Sequence, residues 1–308
     1  MNAGRKVDLY ISEMGYSNSL RGFIMRTIMV VVLSDCSALE SNTLESLKTS
    51  ERCLDELLIV NNGGEISTID QDKIQDMGLQ VKKVNVKNFF DVRPLSWIYN
   101  GVLNEYYQYD RFIFFSYDSF LEGNYIGNLI DCYSEGVDLQ IPNIRDSISK
   151  QIIYPRLNKV TRKIPDGMKI DSQYNLLSMN SGLVIYRSLV EKFSECNIEV
   201  FDNRFALYGV DYNFFNRLEI LKKAKYKICV QVVNTIESSV PVTDKQNELS
   251  QEVERLYDRV LSGKYYSKNK LVIYLRLLKI SFQQLIRFRF SNLELIFRIY
   301  FEGKHPRC

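Results

Sequence analysis

The 308-residue sequence predicts an α/β protein, an open and mostly parallel central sheet flanked by helices, with a basic helical extension at its C-terminal end. Three observations lead there. Short apolar runs ("TIMVVVL", "LDELLIV", "RFIFFS") alternate with helically spaced segments from residue 27 onward. The runs show no polar alternation, as strands buried on both faces require. The composition then changes near Pro241, where a charged segment runs to about Ser262 and gives way to a basic, apolar tail. The division expected is a leader over residues 1–24, an α/β domain over 25–240 and a helical, basic region over 241–308.

Taken in order, "TIMVVVL" is a β-branched strand, and "TLESLKTSERC" carries Leu44, Leu47 and Cys53 at helical spacing. A second strand, "LDELLIVNNGG", stops on the turn signal Asn-Asn-Gly-Gly. "LQVKKVNV" is a third strand, "PLSWIYNGVLNEYY" a helix opened by Pro94, and "RFIFFS" the fourth, central strand. The helix "YIGNLIDCY" and the strand "VDLQIP" follow. Residues 143–180 form a long polar stretch with Pro155, Pro165 and Gly167, of the kind that serves as a lid or binding segment. "NSGLVIYRSLVEKF" then reads as strand into helix. In "YGVDYNFFNRLEILKKAKYKICVQ", Phe214, Phe215, Leu218 and Leu221 share one helical face, with Asp211 in the first turn. Trp97, the only tryptophan, is expected in the core.

Composition excludes several function classes. A net charge of +3 is too small to imply nucleic acid, and no zinc-finger spacing or aromatic-interleaved basic strand is present. Six cysteines without a Cys-x-x-Cys pair fit reduced thiols in a cytoplasmic chain, and the stretch before "TIMVVVL" lacks the apolar centre of a signal peptide. The single histidine is His305, so Ser-His, Cys-His and multi-histidine zinc chemistry are excluded. Carboxylate, hydroxyl and oxygen-ligated metal chemistry remain. Open α/β sheets bind ligands beyond the carboxyl ends of their strands. That rule selects Ser34 and Asp35, Asn61 to Gly64, and Ser116 to Ser119 in "FIFFSYDSFLEG".

In the tail, ten Lys/Arg between residues 262 and 308 face only Glu294 and Glu302. Arg276, Lys279, Gln283, Arg287, Ser291, Glu294 and Arg298 recur at three- and four-residue steps, leaving the rest of the helical circumference apolar. No apolar run reaches the roughly 20 residues that span a bilayer. Two readings stand, a helix lying on a membrane surface and a helix packed on the domain or across a homodimer interface.

From residue 27 to about 231, the segments together resemble the inverting family-2 glycosyltransferases of the GT-A fold, in particular the rhamnosyltransferase-like branch that builds bacterial surface polysaccharides. The carriers are "VVVLSDCSALESNTLESL", "LDELLIVNNGG", "PLSWIYNGVL", "RFIFFSYDS" in place of the Asp-x-Asp strand, "MNSGLVIYRSLVEKF" and "YGVDYNFFNRL". The resemblance implies transfer, with inversion, of a sugar from a dTDP- or UDP-sugar to a hydroxyl of a lipid-linked glycan at the inner face of the cytoplasmic membrane. It implies Asp211 as the catalytic base. Asp118 would hold a divalent cation, Mg²⁺ or Mn²⁺, and Arg217 would help with the diphosphate. Ser34, Asp35, Asn61, Asn62, Asn100 and Ser116 would line the nucleotide-sugar site, and Ser181 and Gly182 the acceptor side. One departure matters: Ser116 stands where the family carries an acid, so a single carboxylate remains for the metal. A GT-A-like binding protein without activity is the alternative.

Overall fold

A computed structural model describes residues 25–34, 36–63, 71–238, 248–267 and 269–308. The expectations for residues 1–24, Asp35 and Gly64 lie outside the described residues. Strand β1 (Thr27–Leu33) is buried along its whole length and pairs in parallel with β2 (Glu56–Asn61) and β4 (Arg111–Ser116). β3 (Val84–Asn88) extends the sheet beyond β2. On the other side come β11 (Leu183–Tyr186), β5 (Leu139–Asp146), β12 (Val230–Ser238) and β9 (Lys169–Ile170), in that order, with β6 (Ile152–Tyr154) on β5.

Alternate residues of the central strands feed opposite layers, as the two-residue period of a strand requires. Val30, Val32, Phe112 and Phe114 pack on one face, and Met29, Val31, Ile113 and Phe115 on the other. β11 runs antiparallel between β4 and β5. Its first residue therefore lies toward the end of the sheet where β4 finishes, and this brings residues 180–182 to Ser116.

Helices α1 (Asn42–Leu47), α2 (Gln71–Gln75), α3 (Leu95–Glu105), α4 (Tyr125–Asp131), α5 (Arg187–Glu195) and α6 (Val210–Lys223) surround the sheet. α1 is capped by Ser41, whose hydroxyl accepts the Leu44 N–H at 3.2 Å. It ends at Leu47, so Cys53, expected on its apolar side, is exposed in the following loop. Pro94 caps α3, as its fixed φ favours. Trp97 is 44% exposed instead of buried; its indole N–H donates to the Asn203 carbonyl at 3.2 Å, which holds the ring at the surface. On α6, Phe214, Phe215, Leu218 and Leu221 are all buried, as their spacing predicts.

The polar stretch 143–180 is more ordered than its composition suggests. β7 (Arg156–Leu157), β8 (Val160–Thr161) and β10 (Leu176–Leu177) form a small second sheet. Strands of two residues carry too little periodicity to be read from sequence. A hollow of about 540 Å³ is walled by residues including Val160, Arg162, Ile164, Met168 and Tyr174.

Three helices close the chain: α7 (Glu248–Tyr266), α8 (Lys270–Ile286) and α9 (Phe290–Glu302). The single periodic pattern read across residues 276–298 is broken at Phe288, whose φ is +55°. α7 packs through Leu256, Tyr257, Val260 and Leu261 into the main core, and the Tyr266 hydroxyl donates to Asp202 at 2.6 Å. His305 is buried, with its ring on Tyr257 at 4.4 Å and its Nε2 at 3.2 Å from Glu254. The sole imidazole thus fastens the C-terminal end to α7.

Candidate active site

The loop after β4 is pinned by the start of α1. The Thr43 hydroxyl donates to the Ser116 carbonyl at 2.6 Å and accepts the Ser119 N–H at 3.1 Å. The Ser41 hydroxyl donates to the Tyr117 carbonyl at 3.0 Å. With its backbone so held, the loop turns Ser116, Asp118 and Ser119 to one side. The Ser116 hydroxyl donates to Asp118 Oδ1 and lies 3.3 Å from the Ser181 hydroxyl, which also bonds Ser119. Asp118 is felt by the Cys36 thiol: burial chiefly, then Glu40 and Asp118, raise the thiol above its ordinary value. The β1 and β4 loops therefore meet around this carboxylate.

Residues 180–182 carry the arrangement across to α6. The Gly182 N–H donates to the Phe114 carbonyl at 2.8 Å, with φ at +75°, and a Cβ there would lie 2.7 Å from Pro142 Cγ. Only glycine tolerates both the conformation and the contact. Ser181 supplies the hydroxyl facing Ser116. The Asn180 N–H donates to Asp211 Oδ2 at 3.2 Å. Three consecutive residues thus join the sequence-predicted metal carboxylate, the acceptor residues and the predicted base.

Asp211 sits in the first turn of α6, after Gly209 in the left-handed region with φ at +82°. Burial pushes its pKa up to about 6; the Asn180 N–H opposes the rise and Asp258 on α7 adds to it. A carboxylate with that value is ionised at neutral pH yet basic enough to take a proton from a hydroxyl in a transition state. Two neighbours escaped the sequence reading. Asn180 is buried beside Tyr99, whose hydroxyl is held above its ordinary pKa by burial and then by Asp211. Neither polar atom of the Asn180 side chain makes a well-formed hydrogen bond within the protein. Asp258 reaches back to Gly209, leaving its Oδ1 2.2 Å from where a Cβ would stand. No local motif marks either residue, because each acts through a partner distant in sequence.

Other expected site residues lie elsewhere or are otherwise engaged. Ser34 directly follows β1, two residues beyond Val32, which pairs with Ser116. Asn61 donates to Asn88 Oδ1 at 3.0 Å. The Asn62 amide is tied at both ends to the backbone of Arg93, at 3.0 and 2.8 Å. Asn100 is buried on α3 and clamps the Phe201 backbone and the Asn203 side chain. Arg217 points to the Glu199 carbonyl and lies 3.7 Å from Asp202, away from Asp211. Six residues separate it from Asp211, which at 3.6 residues per turn puts it on another side of α6.

Among the described residues no cluster of three or more His, Cys, Asp or Glu side chains could hold a metal ion. The donors around Asp118 are one carboxylate and three hydroxyls, all hard oxygen. Such a set fits a Mg²⁺- or Mn²⁺-like ion that takes most of its ligands from a diphosphate and water.

The large, mostly parallel sheet flanked by helices is that of a GT-A fold, as the following match shows. No protein-family profile and no curated protein matches the chain. Among solved structures, the chain is similar to Staphylococcus aureus TarS residues 1–349 in complex with UDP-GlcNAc. The TM-score is 0.50 and the identity 10%, over 81% of this chain and 69% of that one. It is also similar to the mannosyltransferase PcManGT of Pyrobaculum calidifontis in complex with GDP-Man and Mn²⁺. There the TM-score is 0.49 and the identity 9%, over 83% of this chain and 73% of that one.

Proposed function

We propose that the α/β portion, residues 25–240, is an inverting glycosyltransferase of the rhamnosyltransferase-like branch. It transfers one sugar from a dTDP- or UDP-sugar to a hydroxyl of a lipid-linked glycan at the cytoplasmic face of the membrane, in bacterial surface polysaccharide assembly. The observation that carries this reading is the tripeptide Asn180-Ser181-Gly182, which ties Asp211 to the Ser116–Asp118 pair. The acceptor oxygen attacks the anomeric carbon from the face opposite the diphosphate. As that C–O bond forms, the bond from the anomeric carbon to the diphosphate oxygen breaks, and the nucleoside diphosphate leaves with the electron pair. The acceptor proton passes to Asp211. A divalent cation on Asp118 would neutralise the departing diphosphate.

Calorimetric titration with UDP, dTDP and GDP, each with Mn²⁺, Mg²⁺ or EDTA, tests the donor side. Binding of one nucleotide that EDTA weakens supports the cation on Asp118, and binding indifferent to EDTA removes Asp118 from that role. No nucleotide binding would overturn the transferase reading in favour of a non-catalytic binding protein, which Ser116 in place of a second acid favours.

A further inference from the structure

The outer surfaces of α8 and α9 carry a second apolar stripe that no part of the described chain covers. On α8, Ile273, Leu277, Ile280 and Gln284 face inward, with Ile280 and Gln284 buried. The opposite side presents Leu271, Leu275, Leu278, Phe282 and Leu285 at steps of four and three, each 45–66% exposed. α9 repeats the arrangement: Ile296 and Ile299 are buried, while Phe290, Phe297 and Phe301 stand outward at 58–78% exposure. Phe288, between the helices, is 81% exposed. A helix apolar on both sides belongs between two apolar media, and here only the inner one is protein.

The charges beside the stripe select its occupant. Lys279, one turn from both Leu275 and Phe282, is exposed, as are Arg276, Arg298 and Lys304. Residues 262–308 hold ten Lys/Arg against Glu294 and Glu302; of the ten, Arg287, Arg289 and Arg307 pair with Glu252 and Glu254 of α7, and Lys279 and Arg276 stand on the outer side. A second copy of the same face would set like charges against each other across the contact. An anionic lipid surface meets both features, because the apolar stripe enters the acyl boundary while the cations meet headgroup phosphates. Among the described residues no helix is long and apolar enough to cross a membrane, which fits a helix lying in the interface plane.

We infer that α8 and α9 form a docking face for an anionic membrane surface. The inference rests on the proposed lipid-linked acceptor only for its purpose. Nucleotide binding measured without lipid stands or falls separately.

The test is flotation of the full chain with vesicles of phosphatidylcholine alone and with about one-third phosphatidylglycerol, at low and high salt. The expected result is capture by the anionic vesicles, weakened by salt. Leu278→Glu with Phe282→Glu, and separately Lys279→Glu with Arg298→Glu, should each lower the bound fraction at least about tenfold. The thermal transition of the Leu278/Phe282 variant should be unchanged, since those two side chains lie outside the core. Absence of capture, equal capture of wild type and both variants, or a sedimentation dimer that the Leu278/Phe282 variant makes monomeric would each overturn the inference. Binding to an acidic protein but not to the vesicles would overturn it too.

Discussion

Asp211 carries opposite consequences for activity and stability. Its folded-state pKa lies near 6 against an ordinary 3.8, so the native protein holds this proton more tightly than the unfolded chain does. As pH rises from about 4 through 6, the unfolded chain ionises first and stability falls; above about 6 the whole penalty stands. Asp211→Asn should therefore raise stability at neutral pH by up to about 3 kcal/mol, with no gain below about pH 4, while transfer falls to background. Denaturation followed at both pH values, beside a transfer assay, checks the pair of effects; normal turnover would remove Asp211 from the base role. The wild-type rate should climb as pH rises through about 6, as the base ionises. Asn180 makes a second prediction at this scale. Its side chain is buried beside the Tyr99 hydroxyl, and its backbone N–H holds Asp211. Asn180→Ala should reduce kcat/KM about tenfold or more with a smaller effect on melting temperature, because the side chain gives up only its contact with the Tyr99 hydroxyl while the backbone N–H to Asp211 stays.

Among the elements, the entry to α6 has the narrowest tolerance. Gly209→Ala would place a Cβ 2.2 Å from Asp258 Oδ1 with φ near +82°. A loss of roughly 2–4 kcal/mol follows from left-handed strain together with overpacking, measurable by urea denaturation. The elements divide sharply in how far their sequences disclosed them. The strands "TIMVVVL" and "RFIFFS" were legible because strands buried on both faces need continuous apolar runs, and α6 because four large side chains share its face. The 143–180 stretch was not, since its two-residue strands are held by pairing and not by pattern. The resemblance named Asp118, Ser181 and Asp211, and the fold links their segments through residues 180–182. The engagement of Asn62, Asn100 and Arg217 with backbone carbonyls was not, because a polar side chain bonded to its own fold and one facing a ligand look alike in one dimension.

At the scale of the whole molecule, the C-terminal helices reach the surroundings of Asp211. Asp258 of α7 accepts from Ser262 at 2.7 Å, Ser262 bonds Asn213 of α6, and Asp258 adds to the raised pKa of Asp211. Asp258→Asn keeps an accepting oxygen for Ser262 but removes the charge. The acid limb of the pH–rate profile should then move to lower pH while the fold is retained. An unmoved limb would mean that α7 supports α6 without influencing its proton. Because α7 also leads into α8, the residues proposed to meet lipid and those proposed to take the proton belong to one packed unit.

The tripeptide at residues 180–182 bears on how this protein can be altered. Consecutive Cα atoms stand 3.8 Å apart, so the peptide bonded to Asp211 and the glycine seated under Pro142 are at most about 7 Å from each other. Ser181, between them, touches the hydroxyls next to Asp118. On the proposed function, a substitution that shifts the Ser116–Ser119 loop to admit a different sugar would therefore also shift the proposed base, Asp211. If that function holds, donor preference and turnover would be inherited together, and a redesign that aims at one should begin by changing residues 116–119 and 180–182 as a single set.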